Sequence, residues 1–443
     1  MYGHESSLNE LPIRLLPDVL TGPSCASGRM CSEGPIYSPE KSQRADPPLA
    51  LMRVGAGLVG LAATVSMWAT PDWQRSLPWF VITIGGVVMV LIVTGGWLPF
   101  FARKVSRSAL VRFFLAANFT ALLVALFTSN WLAYKYPWLT RIYSVLPSIR
   151  GLPLTWARQG LPANQTGGML AVLTTFSLAV ALAPAPPAEI RSGKHTLQRW
   201  TAIFLAFVGA VVVFMTGSRA ALAGLVVALA LILIARNLRW LWVWVSGFVL
   251  TLGGLAAAGR VGWVLQLLVS DQTLSSKLVS RLDIWSSAWM GIQDHLVTGI
   301  GLGVFDQVIP VRYPYAAVSL SFSVVQAHNL FLDVALSIGL PGLLGLLFLL
   351  AGLAKLASDG IKKADSTRIV SLGILASVVA FVVFGIGDSM SFSRPTSFVL
   401  WIWASAVALN QARPKSGPIP SGSDLEDQSS DHIGSLAPRK GLP

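Results

Sequence analysis

Residues 200–235 read WTAIFLAFVGAVVVFMTGSRAALAGLVVALALILIA, and they contain two apolar runs separated by the short segment Thr216-Gly217-Ser218-Arg219. At about 1.5 Å of rise per residue, each run would cross most of the roughly 30 Å hydrocarbon core of a membrane as an α-helix. Arg219 is the only charged residue in the stretch. Two apolar helices joined by a tight turn are typical of a protein that crosses a bilayer several times.

The composition of the whole chain agrees with this interpretation. The protein has 443 residues, of which 53% are hydrophobic and 12% are charged, and its mean hydropathy is +0.64. Soluble domains carry about 25% charged residues, so an ordinary soluble globular enzyme is excluded. The apolar runs are continuous rather than alternating, which excludes a transmembrane β-barrel. The sequence therefore predicts an all-α, polytopic membrane protein.

Ten apolar segments predict about ten transmembrane helices, within a range of ten to twelve. Residues 47–411 would form the membrane domain, flanked by a polar leader at 1–46 and a polar tail at 412–443, both expected to be disordered and cytoplasmic. The leader lacks the apolar core of a signal peptide, and it holds Cys25 and Cys31, which we expect to be free thiols. The predicted segments are 47–69, 78–101, 109–129, 166–187, 200–216, 220–235, 238–258, 328–355, 368–388 and 396–411.

The charge distribution predicts which ends of the helices face the cytoplasm. The formal net charge is +13, and residues 47–411 contain 25 basic against 10 acidic residues. This charge lies in loops between apolar segments, so it points to membrane orientation and anionic lipid-like ligands rather than to nucleic acid. Lys and Arg are about four times as dense in the loops of one side, which the positive-inside rule makes cytoplasmic. Both termini are then cytoplasmic, and the long segments 130–165 and 259–327 lie on the outer face.

Two arginines on the outer face are candidates for binding an anion. Arg219 lies in the turn between two strongly apolar segments, where a charge is costly and by default indicates function. Arg281 begins a segment whose apolar residues recur at helical spacing, and Asp283 points to another side of that helix. A guanidinium group can hold a phosphate through two parallel hydrogen bonds. The predicted apolar face of this helix contains Trp285, Ala288, Trp289 and Ile292.

Two of the five histidines, His295 and His328, are predicted to face outward. His328 lies where the chain re-enters the bilayer, next to Asn329, and an imidazole at that depth is well placed to act as a general base. His295 follows a polar dipeptide, for which a solvated surface histidine is the expectation. The glycine run that comes next, at 299–305, predicts a tight turn packed on the membrane surface.

The sequence offers no recognisable site for a metal or a bound cofactor. The outer segments contain no glutamate, and their aspartates form no close pair of the kind that holds a divalent cation. The Gly-x-Ser-x-Gly motif of serine hydrolases is also missing. We therefore expect a reaction that uses neither a metal nor a cofactor. The outer aspartates are Asp72, Asp271, Asp283, Asp294, Asp306 and Asp388.

Four stretches between about residues 150 and 356 together resemble the O-antigen ligase superfamily of bacterial membrane glycan transferases, which also includes polysaccharide polymerases. The family motifs are an Asn-rich entry into a mid-chain helix, a Ser-Arg turn, the end of a large outer loop, and a His-Asn helix with a Gly-Leu-Pro-Gly break. At the first motif the family often has Asn-Pro-Asn, where this chain has Pro162-Ala163-Asn164. The resembling residues are 161–168, 216–220, 281–305 and 328–343.

This resemblance implies a function, a location and a set of site residues. It implies that a glycan is transferred from a polyprenyl-diphosphate carrier to an acceptor hydroxyl of a glycolipid or glycan. The reaction would take place on the outer, periplasmic face of the bacterial cytoplasmic membrane. Arg219 and Arg281 would hold the diphosphate, and His328 would activate the acceptor. The residues that would bind substrate are Arg158, Asn164 and Asn329.

Three alternatives stay open at the level of the sequence. A polysaccharide polymerase of the same superfamily differs only in its acceptor. A lipid-linked glycan flippase or another transporter would need polar residues at mid-membrane and often has inverted repeats, but segments 200–216, 220–235 and 368–384 contain almost no polar residue. A peptidoglycan glycosyltransferase also has about ten spans and a large outer loop, but its essential acidic residue has no clear counterpart here.

Overall fold

The helices of the computed structural model follow the apolar segments of the sequence. Within the residues that it describes, the structure contains thirteen α-helices and no strand, the one extended pairing being between Ser129 and Leu161. The described residues are 47–95, 107–129, 131, 136–146, 161–184, 193–259, 272–316, 318, 324–362 and 367–411. The helices are α1 (Pro47–Ala69), α2 (Trp73–Thr94), α3 (Arg107–Thr128), α4 (Thr140–Val145), α5 (Ala163–Ala181), α6 (Gly193–Met215), α7 (Arg219–Arg236), α8 (Arg239–Ala257), α9 (Gln272–Asp294), α10 (Phe305–Arg312), α11 (Leu330–Ile361), α12 (Thr367–Gly387) and α13 (Phe398–Gln411).

Each of the ten predicted segments overlaps a long helix, and the chain is a polytopic helical membrane protein. Seven of the described helices are long and apolar enough to cross a membrane, namely α1, α2, α3, α6, α7, α11 and α12. Helix α13 has 14 residues and is about 21 Å long, which is shorter than the hydrocarbon core. The predicted leader and tail, 1–46 and 412–443, lie outside the described residues.

Helix α1 packs along α11 through small residues. A Cβ atom on Gly55 would lie 2.7 Å from the carbonyl oxygen of Gly345, and one on Gly345 would lie 2.8 Å from that of Gly55. The two backbones therefore touch at this point. Close approach through small residues is the usual way in which helices associate inside a membrane, where lipid tails are as apolar as leucine.

Helix α12 lies among α5, α7 and α11 and is packed against all three. The Ser377 hydroxyl donates to the carbonyl of Val172 on α5 at 2.8 Å. A Cβ on Gly224 of α7 would lie 2.8 Å from the carbonyl oxygen of Ala380, so this contact is also backbone to backbone. The C-terminus of α12 consequently reaches the same end of the bundle as the first residues of α5, α7 and α11.

Helix α11 is broken at Gly339, as the Gly-Leu-Pro-Gly motif predicts. Ile338 and Gly339 have non-helical backbone angles, with φ of +73° at the glycine. A Cβ at Gly339 would overlap the carbonyl group of Val297, so this position requires glycine for space as well as for conformation. Pro341 adds to the break because it has no N–H to offer to the preceding turn.

The carbonyl groups freed by this break are bonded by other parts of the chain. The Leu336 carbonyl accepts from the Ile300 N–H at 2.8 Å, and that of Ser337 accepts from the Gly301 N–H at 3.1 Å. The Ser66 hydroxyl of α1 also donates to the Ser337 carbonyl, at 2.7 Å. Irregular backbone at membrane depth is tolerated when it is satisfied within the protein in this way.

The glycine run at 299–303 packs against protein, so the prediction that it lies on the membrane surface is wrong. Gly299, Gly301 and Gly303 all have positive φ angles, and a Cβ on any of them would meet a neighbouring helix or turn closer than 3.0 Å. Glycine here lets the loop backbone lie directly on the surrounding helices. The groups that it approaches belong to Ser337, Thr70 and Trp79.

Helix α9 is amphipathic, but its buried face differs from the predicted one. Ile284, Ala288 and Ile292 are spaced four residues apart, are buried, and belong to the core that α9 shares with α11. Trp289, which was predicted to lie on this face, is 54% exposed. The reason is helical geometry. Trp289 follows the buried Ala288 by one residue, and one residue corresponds to a rotation of about 100° around the helix axis.

Candidate functional site at one end of the helix bundle

The turn that precedes α11 holds His328 in an unusual backbone conformation. His328 has φ of +50° and is the only non-glycine residue with positive φ in the part of the chain that the structure describes. Such a conformation is disfavoured for residues with a Cβ and persists only where the surroundings enforce it. The next residue, Asn329, caps α11, because its Oδ1 accepts from the backbone N–H groups of Phe331 and Leu332 at 3.0 and 3.1 Å.

Several hydrogen bonds hold this turn in place. The backbone N–H of Ala327 donates to Asp333 Oδ1 at 3.3 Å, and its carbonyl accepts from the indole N–H of Trp285 at 2.9 Å. The Arg394 guanidinium donates to the carbonyl of Val325. The turn is thus fixed from α9, from α11 and from the segment after α12, which explains how the strained His328 backbone is maintained.

The imidazole of His328 is paired with Asp388, which follows the last residue of α12. His328 Nδ1 lies 3.2 Å from Asp388 Oδ1, and the two side chains are 32% and 1% exposed. The same carboxylate oxygen accepts from Gln326 Nε2 and from the backbone N–H of Ser389, both at 2.8 Å. One oxygen of a buried carboxylate therefore gathers three donors around it.

The carboxylate of Asp388 is held in its ionised form. Burial acts to raise its pKa, but the hydrogen bond and charge of His328, the Ser389 N–H and the Asn164 side chain together bring the pKa below its usual value. An ionised carboxylate only accepts hydrogen bonds, so the proton of a neutral His328 lies on Nδ1. Its Nε2 then carries a free lone pair. No described residue makes a hydrogen bond to that atom.

Helix α5 contributes two side chains from its first turn. Gln165 Nε2 donates to Gln326 Oε1 at 3.3 Å, which links α5 to the His328 turn. The neighbouring Asn164 is half-buried and lies against Asp388, where it favours the ionised carboxylate. The predicted substrate residue Asn164 is therefore placed beside the histidine–aspartate pair.

Arg281 lies beside the end of α12. A Cβ built on Gly387 would have Ala220 Cβ at 3.0 Å and Arg281 Nη1 at 4.0 Å as its neighbours. The guanidinium thus lies next to the residue before Asp388 and next to the first turn of α7, which begins with Arg219. Within the described chain, neither arginine makes a hydrogen bond or an ion pair. Both charges are free to bind a ligand, Arg219 from an exposed and Arg281 from a half-buried position.

The turn that carries Arg219 is fixed against α5. Ser218 caps α7, and its hydroxyl accepts from the backbone N–H three residues later at 3.3 Å. Gly217 supplies the positive φ angle of the turn, +62°. A Cβ on Gly167 of α5 would lie only 2.6 Å from Thr216 Oγ1. The Ser-Arg turn and the Asn-rich helix start, which the sequence treats as separate motifs, are therefore in direct contact.

The other two residues predicted to bind substrate are Asn329 and Arg158, and the structure describes only the first of them. Both polar atoms of Asn329 have protein partners, because Nδ2 donates to the Ile386 carbonyl at 3.2 Å while Oδ1 caps α11. The structure thus gives it a helix-capping contact beside the site. Arg158 lies outside the described residues.

His295 does not belong to this cluster. It is half-buried rather than solvated, and its Nε2 is buried without a hydrogen-bond partner in the described residues. It lines a separate pocket of about 310 Å³ together with Gln307 and Arg312. Among the residues that the structure describes, no group of three or more His, Cys, Asp or Glu side chains could hold a metal ion.

Sequence reasoning missed three members of the site. Asp388 appeared only as one of several outer aspartates, and Gln326 and Asp333 were given no role. Asp333 Oδ2 accepts from the Ser389 hydroxyl at 2.8 Å, so the two buried aspartates are joined through one serine. The available signal was an aspartate that directly follows a strongly apolar span, in Gly387-Asp388-Ser389.

These features define a polytopic helical membrane protein with a histidine–aspartate pair at one end of its helices, beside two arginines that have no partner among the described residues. Residues 204–348 match a protein family described as O-antigen ligase. The match covers about a third of the 443 residues, and it confirms the resemblance to the O-antigen ligase superfamily. It contains Arg219, Arg281 and His328, whereas Asn164 and Asp388 lie outside it.

The chain is also similar to the teichuronic acid biosynthesis protein TuaE of Bacillus subtilis (strain 168). The two sequences are 24% identical over 209 residues. The aligned part is 44% of this chain and 41% of the relative, so the chain spans less than half the length of the relative that it matches.

Proposed function

We propose that the protein transfers a glycan from a polyprenyl-diphosphate carrier to an acceptor hydroxyl, in the manner of an O-antigen ligase. The observation that carries the proposal is the pairing of His328 with Asp388 at 3.2 Å, beside the unpaired guanidinium of Arg281. By the positive-inside rule, this end of the bundle is the outer face of the cytoplasmic membrane.

In the proposed reaction, His328 Nε2 removes the proton of the acceptor hydroxyl while the oxygen attacks the anomeric carbon of the donor sugar. The bond between that carbon and the diphosphate oxygen breaks, and polyprenyl diphosphate leaves with the bonding electrons. Arg219 and Arg281 stabilise the charge that develops on the leaving group, which is commonly the largest contribution to such catalysis. Asp388 stabilises the imidazolium that forms on His328.

Two buried carboxylates and one guanidinium lie beside the His328 turn. Asp333 and Asp388 are both buried, and they are joined through Ser389. The Arg394 guanidinium is close enough for both carboxylates to favour its charged form. A proton that arrives on His328 gives an imidazolium whose Nδ1 lies 3.2 Å from the buried carboxylate of Asp388.

The test is transfer in vitro from a polyprenyl-diphosphate glycan donor by the wild type and two histidine variants. Loss of a positioned base reduces rates by about 10²–10⁴-fold, and we expect this loss in His328→Ala with donor binding retained. His295→Ala is the matched control and should keep most of its activity. If His328→Ala keeps more than about a tenth of the wild-type rate, well above that range, the assignment of the base is wrong.

The same assay tests the expectation that no metal takes part. We expect EDTA to leave the rate unchanged, since the chemistry above needs only arginines and a histidine. Loss of activity that returns on addition of magnesium would contradict this part of the proposal.

A polysaccharide polymerase is the second candidate, because the chain is similar to a protein that is named for teichuronic acid biosynthesis. A ligase transfers the glycan to a glycolipid, whereas a polymerase transfers it to another repeat unit. Deletion of the gene and separation of the surface glycans by size distinguishes them. Full-length chains left on the lipid carrier indicate a ligase, and single repeats indicate a polymerase. Transport of the carrier without any transfer would instead support a flippase.

A further inference from the structure

A groove lies between α3 and α6, toward the end of the bundle opposite the candidate site. The site end of α3 is marked by Thr128, whose carbonyl accepts from the Leu161 N–H just before α5. The groove is near the other end of α3 and has a volume of about 570 Å³, within the usual range of ligand pockets. Its lining includes Arg112, Leu115 and Phe119 of α3 and Gln198, Trp200 and Phe204 of α6.

Arg112 is a cation inside an apolar span. The span runs from Ser108 to Thr128, so Arg112 lies about 6 Å inside it along the helix axis. Its one hydrogen bond to a described residue runs from Nε to the Ser108 carbonyl at 3.3 Å, and no described carboxylate is paired with it. A charge at such a position is costly and is expected to have a partner or a function.

The polar groups of the groove are gathered at its Arg112 end. Gln198 Nε2 of α6 donates to the same Ser108 carbonyl at 3.4 Å. The side chains of Arg112 and Gln198 therefore share one hydrogen-bond acceptor. In the described chain, the two Nη nitrogens of Arg112 have no partner, and they form a fork that matches a phosphate. Trp200 also lines the groove, and tryptophan is enriched at the level of lipid headgroups. Beyond this end the walls are almost entirely apolar.

We propose that this groove binds one phospholipid with an anionic headgroup. The phosphate pairs with the Nη nitrogens of Arg112, and an acyl chain lies along Leu115, Phe119 and Phe204. The distance along α3 from Arg112 to Phe119 is about 10 Å, which accommodates the upper part of a chain in a leaflet of roughly 15 Å. Arg199 follows Gln198 on α6, and basic residues near the membrane surface favour anionic headgroups. This site is independent of the proposed transferase reaction.

The experiment measures how many lipid molecules the delipidated, purified full-length protein retains, by native mass spectrometry with phosphatidylglycerol or phosphatidylcholine added. Arg112→Gln removes the charge, whereas Ala116→Trp keeps the charge and fills the groove. Arg239→Gln is the matched control, because Arg239 is an exposed residue at the start of α8 and does not line the groove. We expect one retained phosphatidylglycerol in the wild type and the control, and affinity at least about tenfold lower in both test variants.

Equal retention of the two lipids by the wild type would overturn the proposal, because the arginine would then confer no preference. Retention of phosphatidylglycerol by both test variants at the wild-type level would overturn it as well. If Arg112→Gln fails to fold, Ala116→Trp decides the matter, since Ala116 is exposed in the groove and its replacement leaves the helix contacts intact.

Discussion

Asp388 determines which nitrogen of His328 carries the proton. The carboxylate accepts at Nδ1, and the Nε2 edge is left to act on a substrate. A neutral amide at this position would present a donor as well as an acceptor, so the imidazole could bind it in the wrong tautomer. The proposed role of His328 thus depends on a residue sixty positions away in the sequence.

We expect Asp388→Asn to lower the transfer rate by roughly 10²–10⁴-fold without loss of the folded protein. Asp294→Asn is the control, because Asp294 is an exposed aspartate that accepts from the Tyr313 hydroxyl, away from the cluster. The measurement is transfer of a labelled glycan under single-turnover conditions. Similar rates in the two variants would mean that Asp388 has no part in positioning the imidazole.

The pH dependence of the rate should come from His328 and not from Asp388. The pKa of Asp388 is held below its usual value, so its contribution is complete above the unfolded pKa of about 3.9 and is lost only as the pH falls through the lower folded value. The fall in rate on acidification above that pH therefore reports protonation of the base. The measurement is the transfer rate of the wild type as a function of pH. A rate that falls only at the lower pH where Asp388 itself is protonated would contradict this assignment.

The guanidinium geometry of Arg281 is expected to matter beyond its charge. Arg281→Lys keeps the charge but loses the fork that binds two phosphate oxygens, and a hydrogen bond to a charged group contributes about 1.5–3 kcal/mol. We expect a fall in transfer of roughly 10- to 150-fold. Arg312→Lys is the control, since Arg312 is exposed and lines a separate pocket. Equal residual activity in the two variants would show that Arg281 does not bind phosphate through two hydrogen bonds.

At the scale of elements, α9 connects Arg281 to the turn that carries His328. Arg281 and Trp285 are one turn apart on the same helix, and the Trp285 indole holds the Ala327 carbonyl at 2.9 Å. Ile284, Ala288 and Ile292 fasten the helix to its neighbours. A shift of α9 would therefore move the cation and the His328 turn together.

We expect Trp285→Phe to reduce kcat about fivefold while the KM for the donor stays the same, because one hydrogen bond of about 1 kcal/mol is lost and the ring packing is retained. Trp289→Phe is the matched control, as Trp289 is 54% exposed and makes no contact with the turn. Steady-state kinetics of both variants is the measurement. A raised KM at unchanged kcat would place Trp285 in donor binding instead.

At the scale of the whole molecule, the orientation of the helices is the prediction to test. The loop charges place both termini in the cytoplasm and segment 259–327 outside. In intact cells an impermeant thiol reagent should label Ser275→Cys in α9 and leave Ser416→Cys in the tail unlabelled. Both variants, made in a Cys25→Ser and Cys31→Ser background, should be labelled after the cells are opened. The reverse pattern in intact cells would refute the orientation.

The sequence predicted the helices well because an apolar run of about 20 residues is long enough to span a membrane, and its length and composition are visible without any knowledge of its neighbours. The break at Gly339 was also predicted from its local motif. The length of α13 and the exposure of Trp289 were not, since they depend on which neighbours pack against each helix. The sequence predicted Arg281 and His328 as site residues because each is a polar residue in an unusual local setting. Asp388 was not predicted as the partner of His328, because their contact comes from packing between α11 and α12 and leaves no local pattern.

The bonds that satisfy the break in α11 also limit how the protein can be rearranged by evolution or by design. The Leu336 and Ser337 carbonyls depend on N–H groups of Ile300 and Gly301. Replacement of the whole outer segment 259–327 by that of a related protein would also replace the glycine run and leave these carbonyls unbonded unless the new segment followed the same backbone path. Each unbonded group in an apolar environment costs several kcal/mol. The junction for a viable chimera therefore lies before residue 299, so that the glycine run and the broken helix are inherited as one module.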